Sequence, residues 1–387
     1  MAATLWTDSF LDEMRTQGDP LADKAVAALY ERGSQDLSRV NALMRTLVTN
    51  DQLIPQQLPL EIQEYLVHSA VIPELDARKA LMGEQVFAEH GMEILMILGF
   101  YSLPLSYAAR KGVQVIYDTG LLLNRAAQRL FETTQLVADM LSPGGLTPAG
   151  RAIRSAQKVR LMHAAIRFLL THDPRKPWDP SLGVPINQED LAGTFSVFTV
   201  VVAKYGMEKL GIRLSPEQQE AYLHAWRAVA LVQGVDPRVL PETMAGVDDL
   251  ARIIQKRQFA ESEQGRQLTA ALLRAMEAMI PQPFHGVPAV LMRHFLDQSP
   301  YDGRDIATLL GVPLGKGSDL LLDAMEGLGG VVNFVEQHFS PARQLLRTVG
   351  VEVIEGMLRL ERGGNRPPFE LPAHLRMGGA GGRSEVA

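Results

Sequence analysis

A histidine between two arginines is the arrangement in this chain best suited to chemistry. Arg160, His163 and Arg167 lie in the run SAQKVRLMHAAIRFLLTH. If the run is helical, spacings of three and four residues place the three side chains on one face. Two guanidinium groups would repel a protonated imidazole, so this setting favours a neutral His163. A neutral imidazole is a metal ligand, and buried arginines need anions as partners.

A haem group would satisfy both requirements. Its iron takes a histidine ligand, and its propionates are anions that pair with arginine. This interpretation makes His163 the iron ligand and places Arg160 and Arg167 at the haem or its propionates. The spacing alone does not decide the matter, because a lone histidine on a helix is more often a hydrogen-bonded residue of the core or surface. Both interpretations stay open at this point.

The residues around His163 have the pattern of a helix that buries one face. No Gly or Pro interrupts the stretch from Ser155 to His172, and apolar residues recur at helical spacing. The pattern also predicts a helix from Leu121 to Leu141, and the breaker-rich segment PGGLTP follows it. We expect the two helices to pack as neighbours with a cavity between them.

A specific resemblance begins at the same histidine. The segment VRLMHAAIR around His163 is followed by PWD, then by GVPINQEDLAGT from Gly183 to Thr194, and then by Phe198. This combination resembles the catalytic-domain family of the rubber oxygenases, or latex-clearing proteins, which includes the membrane-bound fungal oxygenase of mycophenolic acid biosynthesis. The resemblance covers most of the chain and is strongest between about residues 91 and 258.

The resemblance implies a function as well as a fold. It implies a globin-like helical core that holds haem b through His163, and an oxygenase that acts with dioxygen on a hydrophobic, unsaturated substrate. The reaction would be oxidative cleavage of a carbon–carbon double bond, although simpler oxygenation is also open. The alternatives are a haem-binding sensor or carrier without turnover, and a helical scaffold without cofactor.

The helix from Leu121 to Leu141 supplies the second part of the expected site. In the rubber oxygenases this helix lies on the distal side of the haem and carries Arg, Lys and Thr in the spacing R-x-x-K-T. Here Arg129, Glu132 and Thr133 stand at those positions. Arg129 and Thr133 are therefore expected in the distal pocket, whereas Glu132 either handles protons or faces solvent. Without the resemblance, Arg129 and Glu132 would be interpreted as a surface pair.

Two departures from the family pattern question rubber as the substrate. Glu132 stands where the rubber-cleaving members carry a lysine that reaches the iron, and an acid cannot act in the same way. The stretch 110–117, where the family's proposed general base would lie, contains no Glu.

Composition excludes several other classes. The 387-residue chain has no cysteine, which rules out disulfides, thiolate ligation of haem and iron–sulfur clusters. A net charge of −6 without a long Lys/Arg run argues against nucleic-acid or acidic-membrane partners. The most apolar run, Ile94 to Leu105, is shorter than the roughly 20 residues of a membrane span. With no signal peptide recognised, we expect a cytoplasmic protein without a transmembrane segment; the oligomeric state stays open.

The organisation expected is a single all-α domain. Helical patterns fill nearly every segment between breakers, and no long alternating run indicates a strand. We expect residues 1–90 to form N-terminal helices packed on the core, and 91–260 to form the haem-binding oxygenase core. Residues 261–375 would form a C-terminal helical region of the same domain, and 376–387 a disordered tail.

Overall fold

The regular secondary structure of the described residues is helical. The computed structural model describes residues 6–73, 75–279, 286–314 and 369–374. Within these ranges there is no β-strand, and one isolated bridge joins Ala109 to Phe259. The predicted all-α fold is confirmed, whereas the predicted tail 376–387 lies outside the described residues. The α-helices are α1 (Asp8–Arg15), α2 (Pro20–Arg32), α3 (Ser34–Thr46), α4 (Leu60–His68), α5 (Ala77–Ile97), α6 (Leu103–Tyr107), α7 (Val113–Asp118), α8 (Leu121–Leu141), α9 (Ala152–His172), α10 (Gln188–Phe198), α11 (Met207–Lys209), α12 (Pro216–Val232), α13 (Met244–Gln258), α14 (Glu263–Ala278), α15 (Val287–Leu296) and α16 (Ile306–Leu309).

Polar caps fix the starts of several helices. Asp19 accepts a hydrogen bond from the backbone N–H of Ala22 at the start of α2, and Asn187 caps α10 in the same way. Ser215 and Gln218 form a reciprocal capping box at the start of α12. Each cap satisfies backbone donors that the first helical turn leaves without partners.

The apolar helix before the site differs from the sequence expectation. The sequence predicts one helix from Glu74 to His90 and a second from Gly91 to Leu103, which Pro104 would break. In the structure the helical path continues through both His90 and Pro104. His90 has non-helical dihedral angles, φ −127° and ψ 26°, which kink α5. The stretch Leu98–Ser102 is a π-helical turn in which the N–H of Leu103 donates to the carbonyl of Leu98. Pro104 then occupies the first turn of α6, where its missing N–H does little harm.

This continuous helical path is also longer than the apolar run considered from the sequence. Residues Ala77–Tyr107 are long and apolar enough, by length and composition, to cross a membrane. Half of the most apolar part is buried inside the protein, and Ile94, Ile97 and Tyr101 belong to the main hydrophobic core. In this fold the stretch is a core helix.

Helix α9 lies between two hydrophobic clusters. Leu161, Ala164 and Ala165 pack with residues of α2, α3 and α4. On another side of α9, Ile166 and Leu170 pack with Val115 of α7. Helix α9 also contacts α8 and α12. The helix that carries His163 is therefore held on several sides.

Helices α5 and α12 pack closely at Gly83. A Cβ atom at position 83 would lie 2.3 Å from the carbonyl oxygen of Ala221. Gly83→Ala is therefore expected to lower the free energy of unfolding by about 1–3 kcal/mol, the cost typical of overpacking. Urea denaturation measures this change. Gly193→Ala in α10 is the matched control, because its nearest neighbour would be at 3.5 Å. Equal stabilities for the two variants would contradict the close packing.

Candidate active site

A cavity of about 330 Å³ lies among α5, α6, α8, α9, α10 and α13. This volume is within the range of small-molecule sites. His163 of α9 and Thr133 of α8 line the same cavity, so two side chains predicted to act together are brought to one place. Most of the remaining wall is apolar and includes Leu95, Leu98, Leu103, Val115, Ile116, Leu130, Ile166, Leu191, Val197, Phe198, Val201 and Ile254.

His163 is set into an apolar part of the wall. Its side chain is half-buried, and its Nδ1 atom is buried. Ile166, three residues further along α9, lines the cavity beside it, and Ile186 lines it from the loop before α10.

Arg160 does not face the cavity. Its Nε and Nη2 atoms donate to the two carboxylate oxygens of Asp19 at 2.5 and 2.8 Å, and its Nη1 donates to the carbonyl of Val232 at 3.1 Å. Burial disfavours the charged guanidinium, but the hydrogen bonds to Asp19 and the attraction of nearby negative charge, mainly that of Asp19, together outweigh burial and raise the pKa of Arg160. Arg160 is absent from the described cavity lining. The anion that neutralises Arg160 is the carboxylate of Asp19 at the N-cap of α2, which corrects the expectation of a propionate.

Arg167 is used in a similar way, with an added role in shaping the wall. Its Nε donates to Asp23 of α2 at 3.0 Å, and its Nη1 donates to the carbonyls of Pro185 and Ile186, both at 3.2 Å. Ile186 has a φ of +53°, a left-handed conformation that is strained for a β-branched residue. Arg167 thus holds the strained loop whose Ile186 lines the cavity, and its expected contact with a propionate is corrected too.

The structure places the three residues expected on the distal side differently. Thr133 lines the cavity together with Leu130 and Thr134 of the same helix. Glu132 is partly buried and is absent from the described lining, so its placement does not support a proton-handling role. The side chain of Arg129 lies outside the described part of the structure, and its distal role stays a prediction.

An acidic pair at the cavity wall was missed from the sequence. Glu189 is buried and Asp190 partly buried, and both line the cavity. Arg15 Nη1 bridges them, at 3.1 Å from Glu189 and 2.9 Å from Asp190, and Arg257 Nε donates to Glu189 at 2.7 Å. Burial raises the pKa of Asp190, although Arg15 opposes this. The adjacent acids inside GVPINQEDLAGT are the signal that could have identified the pair.

The donor set around His163 fits a haem group. No group of three or more His, Asp or Glu among the described residues could hold a metal ion. A metal bound by His163 would therefore take most of its ligands from a cofactor, as haem iron does from the porphyrin. The apolar wall beside His163 suits the porphyrin face.

Comparison with known proteins decides the family. Residues 87–334 match the family described as "ER-bound oxygenase mpaB/B'/Rubber oxygenase, catalytic domain". The chain belongs to this family. It is 30% identical over 277 residues to the rubber oxygenase of Streptomyces sp. (strain K30), an alignment that covers 69% of this chain and 66% of that protein. The chain thus spans just under two thirds of that relative.

A solved structure with the same fold supports the architecture. The structure of Latex Clearing Protein LCP in the closed state is similar, with a TM-score of 0.72 and 23% sequence identity. The similarity extends over 93% of this chain and 95% of that chain. The family resemblance noted from the residues around His163 and the all-α fold are both confirmed.

Proposed function

We propose that this protein is a haem b-dependent oxygenase that uses dioxygen to oxidise a hydrophobic, unsaturated small molecule. The observation that carries the proposal is the placement of His163 and Thr133, from two different helices, on the wall of one largely apolar cavity. Membership of an oxygenase family supports the same assignment. In this proposal His163 would hold the iron.

Each side chain of the cavity wall has a separate role in this proposal. Haem, when bound, supplies the redox chemistry that dioxygen requires. His163 would hold its iron at the cavity wall. The hydroxyl of Thr133 donates a hydrogen bond where negative charge develops on oxygen. The apolar walls bind the hydrocarbon part of the substrate and exclude water.

The proposed reaction is oxidative attack on a carbon–carbon double bond. It rests on the named relative, a rubber oxygenase, and on the apolar wall that would hold an alkene. Polyisoprene itself is not proposed, because Glu132 replaces the lysine of the rubber-cleaving pattern.

Two measurements on the purified protein test the proposed function. A Soret band and release of the porphyrin by acid–organic extraction are expected, because the chain has no cysteine to attach haem covalently. Dioxygen consumption is then measured with a panel of unsaturated terpenoids and lipids. Failure to bind haem after reconstitution would overturn the proposal. Haem without dioxygen consumption on any alkene would indicate a sensor or carrier instead.

Thr133→Ala is expected to reduce turnover while haem content stays near that of the wild type. Loss of one hydrogen-bond donor to developing charge costs on the order of 100-fold or more in rate. Steady-state dioxygen consumption per bound haem measures the effect. Thr134→Ala is the matched control, because it removes a hydroxyl from the same wall that has no role in the proposal. Equal rates for the two variants would contradict the role of Thr133.

A further inference from the structure

The cavity wall carries its carboxylate acceptors at one end. Elsewhere, lining hydroxyl groups donate to main-chain carbonyls and keep only neutral lone pairs, which accept more weakly than a carboxylate: Ser102 to Val197, Ser106 to Leu103, Thr119 to Ile116 and Thr194 to Asp190, at 2.6 to 2.9 Å. Glu189, Asp190 and Gln258 also line the cavity and are here called the acceptor end. This end is the part of the wall that differs most from a purely hydrocarbon site.

Asp190 has acceptor capacity that the protein does not use. Its Oδ1 accepts from Arg15 at 2.9 Å, and its Oδ2 accepts from Asn187 at 2.8 Å. A carboxylate offers about four lone-pair sites, so roughly half of them are used. The side chain of Asp190 keeps 18% of its surface accessible although the residue lies deep in the protein. Asp190 lines the cavity, so its carboxylate is within reach of a ligand bound there.

Gln258 supplies a second acceptor. Its Nε2 donates to Glu189 at 2.9 Å, and this fixes the amide orientation because a carboxylate only accepts. The Oε1 atom is then left buried, with no hydrogen-bond partner among the described residues. The residue is 6% exposed and lines the cavity. A buried acceptor of this kind gains a partner when a ligand brings a donor.

The charges at the acceptor end favour a neutral donor over an anion. Arg15 and Arg257 pair with Glu189, and Arg257 also pairs with Asp8 and Asp12. Neither arginine belongs to the described lining, which contains no Lys or Arg. A substrate carboxylate would therefore meet acceptors and negative charge, whereas a hydroxyl group would find hydrogen-bond partners.

We propose that the acceptor end binds a hydroxyl group of the substrate, which is therefore an apolar, unsaturated alcohol. The inference rests on the proposed function of the same cavity and names the substrate class. A pure hydrocarbon such as polyisoprene would displace water from these acceptors without replacing its hydrogen bonds. A site built to pair with a hydroxyl group discriminates strongly against the analogue that lacks it.

Calorimetric titration of the purified protein with farnesol, farnesene and farnesoic acid tests the proposal. The three probes share an unsaturated chain and differ in their polar group. Farnesol is expected to bind at least tenfold more tightly than farnesene, and farnesoate is expected to bind more weakly than farnesol. Equal affinities for the alcohol and the hydrocarbon, or tighter binding of the acid, would overturn the proposal.

Single substitutions test whether Asp190 and Gln258 cause the preference for farnesol over farnesene. Asp190→Asn and Gln258→Leu are each expected to weaken farnesol binding several-fold while farnesene binding stays unchanged. Gln258→Leu serves as the second test if loss of the Arg15 contact unfolds Asp190→Asn. Asp249→Asn is the control, since Asp249 is an exposed acid of α13 that pairs with Arg252 at 3.3 Å. Unchanged farnesol affinity in the folded variants would contradict the assignment.

The proposed function and this inference fail in different ways. Haem content and dioxygen consumption are measured on the same preparations. A preference for farnesol in a protein that never binds haem would contradict the oxygenase proposal alone. Haem-dependent oxidation of hydrocarbons without any preference for the alcohol would contradict the acceptor end alone.

Discussion

His163→Ala is expected to give a folded protein that retains no haem b. In the proposed function, iron ligation would be the main specific anchor for the group, because the two arginines suggested by the sequence have other partners. Arg160 pairs with Asp19 at the N-cap of α2, and Arg167 pairs with Asp23 within α2. The fold should persist, because Leu161 and Ala164 keep α9 packed against the N-terminal helices. The absorbance spectrum measures haem retention, and far-ultraviolet circular dichroism measures helix content.

A second histidine provides the control for this result. The Nε2 atom of His224 accepts a hydrogen bond from the backbone N–H of Asp76 at 3.0 Å, and His224 is absent from the described cavity lining. His224→Ala should therefore keep its haem. Imidazole added to His163→Gly should restore a Soret band, because it replaces the missing ligand. Full haem occupancy in His163→Ala with an unchanged spectrum would show that another residue binds the iron.

Local signals explain why much of the fold was predictable. The predicted helix Leu121–Leu141 has the same bounds as α8. The helix predicted from Ser155 to His172 is α9, which begins three residues before the predicted start, at Ala152. Apolar periodicity, caps and breakers act within a few residues, so a sequence shows them directly. The π-helical turn at Leu98–Ser102 was not predicted, because it packs against elements distant in the chain, such as α15 and another π-helical turn at Val201–Gly206.

The site was predictable where one residue carries the signal and not where distant residues must meet. His163 and Thr133 were identified from the family pattern and do line one cavity. The partner of Arg160 is Asp19, 141 positions earlier in the chain. A sequence states that a buried cation needs an anion, but it does not state which anion. The acceptor end was not predicted for the same reason. Its buried Glu189 pairs with Arg15 and Arg257, which belong to other helices.

The pairing of Arg160 with Asp19 leads to the second large effect expected. Their side chains are 10% and 4% exposed and form two parallel hydrogen bonds that join α9 to α2. Arg160→Ala would leave the Asp19 carboxylate buried without its cation. Removing one partner of a buried pair costs about 3–5 kcal/mol in stability. We therefore expect a large drop in the free energy of unfolding, measured by urea denaturation.

A double-mutant cycle separates this structural role from contact with haem. Because Asp19 and Arg160 act as a pair, removing both should cost less than the sum of the two single changes. Arg252→Ala, which breaks an exposed pair with Asp249, should cost only about 0–1 kcal/mol. Haem bound per folded molecule should stay near the wild-type value in Arg160→Ala, because the guanidinium points to α2. If Arg160→Ala kept wild-type stability but lost haem, Arg160 would be a propionate contact and its pairing with Asp19 would be contradicted.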